Sequence, residues 1–98
     1  MKKVDNKLIY LIDLLTESIA KAQLNMSKLG SDILEHEELK NWNNTKIKHM
    51  LNNLCSDEHS IYFECGIARG ASLCSALYKN KTKAYASDLW LETKLGKQ

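Results

Sequence analysis

The chain contains no proline. No ring fixes φ or removes a backbone donor, so helices can run without forced breaks and proline turns are excluded. Glycine is scarce, with four in 98 residues, so each one marks a place where the backbone has a reason to turn. A surplus of one charge is also missing. The 14 basic and 12 acidic side chains leave a net charge of +2, with the lysines scattered along the chain. That balance argues against nucleic acid as a partner. No apolar run approaches the roughly 20 residues that span a bilayer. The stretch from Leu8 to Leu15 behind the basic Met1-Lys2-Lys3 is too short and too amphipathic for a signal sequence. Neither a membrane nor nucleic acid is therefore expected among the partners. The three cysteines, Cys55, Cys65 and Cys74, are odd in number and none pairs as C-x-x-C. A disulfide framework and a zinc knuckle are excluded, and a reducing, cytoplasmic setting is expected. All three cysteines are read as small buried hydrophobes. His36, His49 and His59 do not have metal-ligand spacing; His36 and His49 are expected on solvated helix faces and His59 in a loop. Trp42 and Trp90 are read as packing anchors.

What is present is an ordinary globular composition, 44% hydrophobic and 27% charged, sufficient for one small domain with a modest core. Leu8, Leu11, Ile12, Leu15, Ile19, Ala22 and Met26 recur at steps of three and four. That period predicts one long helix over 5–29, capped by Asp5 or Asn6 and stopped by Gly30. Asp32 and Glu35 have the spacing of a capping box and predict a second helix to about Lys40. Glu35, Glu37 and Glu38 would form its wet surface. Thr45 to Leu54 reads as a third helix burying Ile47, Met50, Leu51 and Leu54.

The period then changes. Ile61-Tyr-Phe63 is a short continuous run of β-formers, suited to a strand covered on both faces. Ala71 to Tyr78 reads as a helix with Leu73, Ala76 and Leu77 toward a sheet. Lys83 to Ser87 reads as a second strand. Strand, helix, strand in that order implies parallel strands and a right-handed crossover. The tail from Leu89 to Gln98 has no clear period.

The βαβ stretch carries the residues that point to chemistry. Glu64 ends the first strand, and Gly66 and Gly70 follow in the turn. A glycine there lets the backbone bend and lets a ligand come close. The helix opening near Gly70 would offer unpaired N–H groups to an anion such as a carboxylate. Asp88 ends the second strand at about the interval, roughly 20 residues, at which a nucleoside-binding unit places an acid on the ribose hydroxyls. A carboxylate suits a vicinal diol because its two oxygens accept two hydrogen bonds. Each residue also has a plain structural reading, the glycines as turn formers and Asp88 as a cap or loop acid. Glu64 is the hardest to read that way, because an acid closing an apolar strand needs something to satisfy it.

Glu64-Cys-Gly66-Ile-Ala-Arg-Gly70 resembles the E-x-G-x-x-x-G loop of class I S-adenosylmethionine-dependent methyltransferases. Tyr85-Ala-Ser-Asp88-Leu-Trp90 resembles their second motif, and Lys46 to Cys55 is similar to the helix upstream of the loop in one branch. The likeness runs from Lys46 to Glu92. It implies Glu64, Gly66 and Gly70 around the methionine end of the cofactor and Asp88 on its ribose, with Trp90 as a minor candidate for flanking it. Ala68 stands where many members have a middle glycine. The family's sheet has seven strands, and two are legible here.

The expected fold class is thus α/β. A helical N-terminal segment, 1–59, leads into the first βαβ unit, 60–98, of a Rossmann-like methyltransferase fold, incomplete in this chain. The expected function is that of the cofactor-binding N-terminal portion of a methyltransferase, a truncated frame too short for turnover alone. Self-association or a missing C-terminal half is expected among its partners. Two alternatives stand beside it. One is a non-enzymatic helical interaction module or a piece of a split protein. The other is a partial NAD-binding unit, since Gly66-x-Ala68-x-x-Ala71 partly fits G-x-G-x-x-G/A.

Overall fold

A computed structural model of the chain describes residues 2–66 and 70–87. Within them the fold is mixed helix and strand: α1 (Lys2–Gln23), α2 (Ser31–Leu34), α3 (Thr45–Cys55), β1 (Ile61–Cys65), α4 (Ala71–Leu77) and β2 (Lys83–Ser87). The strands pair in parallel, from Ile61 opposite Lys83 to Cys65 opposite Ser87, as the strand–helix–strand order implies. Among the described residues no helix is long and apolar enough to cross a membrane.

Helix α1 starts at Lys2, ahead of the expected caps, and stops at Gln23 instead of running to Leu29. Asn25 adopts a left-handed φ of 57°. Its N–H reaches the Ala22 carbonyl at 2.9 Å, and the Met26 N–H reaches the Lys21 carbonyl at 2.9 Å. This pair of bonds is a Schellman end, in which asparagine takes the place glycine more often fills. Gly30 is therefore not the stop. It precedes α2 with an extended backbone.

Helix α2 is one turn long, not a helix to Lys40, and no side chain caps it. The capping box does not form because the helix starts at Ser31 behind Gly30, which puts Asp32 inside the first turn and Glu35 at the C-cap; Asp32 Oδ2 instead accepts from the Tyr78 hydroxyl at 2.5 Å. Glu35, Glu37 and Glu38 are exposed, as expected.

Helix α3 is the hub, packed between α1 and α4. Asn44 caps it, its side chain accepting from the Lys46 N–H at 2.7 Å. The buried face is not the apolar one. Lys48, His49, Asn52 and Cys55 are buried, while Ile47 is exposed. The reason is hydrogen bonding to backbone groups of the neighbouring segments. Asn52 Nδ2 donates to the carbonyls of Ser75 at 2.8 Å and Tyr78 at 3.0 Å, and its Oδ1 accepts from the Lys28 N–H at 3.0 Å. Asn53 Nδ2 donates to the carbonyls of Ser18 at 3.2 Å and Met26 at 2.9 Å. Lys48 Nζ donates to the Leu39 carbonyl at 3.0 Å. Burial pushes this ammonium down from its ordinary value, against a weaker upward pull from Glu35. Among the described residues no buried side-chain nitrogen or oxygen lacks a partner, as native interiors require.

His49 is buried rather than solvated, and its Nδ1 shares a 2.7 Å hydrogen bond with Ser27 Oγ. Burial first, and Lys46 second, hold its imidazole below the usual 6.5. The folded chain thus binds this proton less readily than the unfolded chain. The stability it confers is present above the unfolded value and is lost as pH falls through it toward the lowered folded value. Melting temperature should fall between about pH 7.5 and about pH 5.5, and His49→Gln should shrink that fall. An equal fall in both proteins would contradict the buried neutral ring.

Helix α4 packs chiefly on α3, with Ala71, Ser75 and Ala76 buried. The sheet is covered on one side only. Tyr62 and Glu64 are half-buried, while Phe63 is 66% exposed and Ile61 and Tyr85 are exposed with it. The run Ile61 to Phe63 reads as doubly covered because periodicity cannot tell which apolar face has a neighbour. Cys65 and Cys74 are exposed, contrary to expectation, and Cys55 is buried as expected.

Candidate functional site

The candidate residues meet at the carboxyl end of the strands. Tyr62 and Glu64 are two apart on β1, so their side chains share a face. The Tyr62 hydroxyl donates to Glu64 Oε1 at 2.5 Å. This bond answers the question the sequence raises, namely what satisfies an acid at the end of an apolar strand. Burial, and then the bond to Glu64, raise the Tyr62 phenol far above its ordinary value. It remains a protonated donor throughout the physiological range, and Glu64 is held as the acceptor.

Gly66 follows with φ at +80°. Its N–H donates to the Ser87 carbonyl at 2.8 Å, extending the parallel pairing one residue past β1. Among the described residues a Cβ on Gly66 would meet no atom within 4 Å. The glycine is needed for its backbone conformation. Gly70 has φ at +82° and immediately precedes α4. No side chain caps α4, while the Gly70 carbonyl accepts from the Cys74 N–H at 2.8 Å. Its first turn is held to the Asn41–Asn44 segment by a hydrogen bond from Asn43 Nδ2 to Ser72 Oγ.

The structure thus brings Glu64, Gly66 and the end of β2 together, with Gly70 at the head of the following helix. Asp88 and Trp90 lie outside the described residues. Ser87, the residue before Asp88, is the one bonded to Gly66. Among the described residues no cluster of His, Cys, Asp and Glu could hold a metal ion. The sequence reading missed Tyr62 as the partner of Glu64. The signal was available, since residues two apart in a strand point the same way.

A separate cavity of about 250 Å³ lies at the opposite end of the strands, lined by Cys55, Asp57, Glu58, Lys79, Lys81 and Thr82 among others. It is closed in part by a bond from Thr82 Oγ1 to the Cys55 carbonyl.

Comparison with family models, with curated proteins and with solved structures found no match to this chain.

Proposed function

We propose that the chain binds S-adenosylmethionine at the carboxyl end of its two strands, as the first βαβ unit of a Rossmann-like methyltransferase domain. The observation that carries the reading is the run from Glu64 to Gly70. A strand-end acid fixed by Tyr62 is followed by two glycines, each with φ near +80°, and no atom of the described residues lies within 4 Å of where a Cβ on Gly66 would stand. The residues present fit the cofactor. Glu64 and the Gly66 backbone would hold the methionine end, and Asp88 would accept from both ribose hydroxyls. When bound, the cofactor supplies an electrophilic methyl group on a sulfonium. The chain's own share is binding and orientation.

Calorimetry with S-adenosylmethionine and with NAD tests the proposal. Asp88→Ala should weaken S-adenosylmethionine by about 2 kcal/mol, since one partner of the lost bonds is charged. Equal affinity of the wild type and Asp88→Ala would remove Asp88 from the site. Tight binding of NAD instead would favour the dinucleotide reading of Gly66, Ala68 and Ala71.

A helical interaction module is the second reading, and one observation favours it. Leu8, Leu11, Ile12 and Leu15 of α1 are exposed, a contiguous apolar surface of the kind that marks an interface.

A further inference from the structure

We propose that α1 pairs in parallel with α1 of a second copy of this chain, along Leu8, Ile12, Leu15 and Ile19. The pairing is independent of cofactor binding. It starts from where α1 does and does not touch its own protomer. Helix α1 lies against α3 through the row Leu14, Ser18 and Ala22. Ser18 and Ala22 are buried and Leu14 is half-buried. Tyr10 continues the row, its hydroxyl bonded to Asp57. At 3.6 residues per turn, Leu8, Ile12, Leu15 and Ile19 fall on a different face, about a third of a turn away. Leu8 is 53% exposed, Ile12 52%, Leu15 47% and Ile19 38%.

The identities on this face select the occupant. The four residues are spaced four, three, four, which is the step of a heptad seam and fixes the register: Ile12 and Ile19 at a, Leu8 and Leu15 at d. Isoleucine at a with leucine at d is the combination that favours two parallel strands over three or four. A partner bearing the same seam is present in every other copy of the chain. A two-fold pair would set isoleucine against isoleucine and leucine against leucine, the self-complementarity that an isologous contact needs.

Charge does not oppose the contact. On the helical projection Lys7, Asp13, Glu17 and Lys21 gather on the arc away from the seam, and Glu17 and Lys21 pair there at 3.7 Å. From Leu8 to Gln23 the half of α1 centred on the seam carries no charged residue. Between Leu8 and Gln23 no like charges meet when two copies approach; one heptad before Ile12 the a position is Asp5, which limits the seam to Leu8 onward. At the C-terminal end Ile19, Ala22, Ile47 and Met50 line a cleft of about 130 Å³ between α1 and α3 together with Gln23 and Lys46, and the Lys46 ammonium is turned onto the Gln23 carbonyl and Asn25 Oδ1. The helix is already ordered by α3, so pairing does not have to bear the cost of forming it.

Sedimentation equilibrium of the full chain should show a monomer–dimer equilibrium. Ile12→Lys should raise the concentration of half-dimerisation by roughly tenfold or more, with the circular dichroism spectrum unchanged. Glu17→Lys, on the opposite arc, should leave the midpoint where it is. Orientation is read by crosslinking. With the exposed Cys65 and Cys74 changed to Ser, Ile19→Cys should oxidise to a covalent dimer, because only a parallel pair brings the two copies of residue 19 within disulfide reach. A wild type that stays monomeric at every concentration overturns the proposal, as does a dimer indifferent to Ile12→Lys. A dimer in which Ile19→Cys does not crosslink overturns the parallel arrangement.

Discussion

Asn52→Leu should destabilise the chain by roughly 4 kcal/mol, among the largest losses a single substitution can cause here. Asn52 is fully buried, and its one amide ties together three backbone groups from two segments. It donates to the carbonyls of Ser75 and Tyr78 at the end of α4 and accepts from the Lys28 N–H beyond α1. Leucine has nearly the same volume, so packing is conserved and the loss is one of hydrogen bonds. Three buried backbone groups would be left without partners. At somewhat more than 1 kcal/mol each, the cost is on the order of 4 kcal/mol. A domain of this size has roughly 5–15 kcal/mol to lose. Asn52→Asp should be at least as damaging, because it keeps the acceptor toward Lys28 but sets a buried carboxylate against the carbonyls of Ser75 and Tyr78. Urea melts of the three proteins check the order; a Leu variant as stable as the wild type would show that the seam between α3 and α4 does not depend on this amide.

Ala76→Phe should destabilise the chain by about 3 kcal/mol. Ala76 has no exposed surface and lies on α4, which packs on α3. Its carbonyl also accepts from Asn80 Nδ2 at 2.8 Å, and Asn80 donates to the Asn52 carbonyl at 3.0 Å. A ring at position 76 must push α4 off α3 and strain the amide bonds on both sides. Ala76→Gly keeps the approach and loses mainly helix propensity, about 1 kcal/mol. Thermal melts should rank wild type, glycine, phenylalanine in falling order. Equal melting of the wild type and Ala76→Phe would mean that α4 can move away from α3 without cost.

The parts of this fold that were legible in the sequence were those set by strong local patterns. The strand opening at Ile61, the helix opening at Thr45 and the parallel order follow from a run of β-formers, a three-and-four apolar step and strand–helix–strand spacing. The end of α1 was not legible because apolar spacing continues through Met26, whereas the chain turns on Asn25, a residue that tolerates a left-handed backbone. The interior of α3 was misread for a different reason. Periodicity counts apolar residues, and this helix buries Lys48, His49 and Asn52 because each finds a hydrogen-bond partner in the segments packed on it: the Leu39 carbonyl, Ser27 Oγ, and the Ser75 and Tyr78 carbonyls with the Lys28 N–H. Of the candidate site, Glu64, Gly66 and Gly70 were legible because an acid and two glycines after an apolar run are a compact signal. Tyr62 was overlooked because a tyrosine inside such a run reads as a strand former first.

The most direct measurement for the central claim is a titration of isotope-labelled chain with S-adenosylmethionine, followed by amide chemical shifts. Bound cofactor at the strand ends should move Glu64, Gly66, Gly70 and Ser87 first and furthest, with Lys79 and Lys81 at the opposite cavity unmoved. No shifts, or shifts centred on that opposite cavity, would contradict the assignment of the glycine turn as the cofactor site.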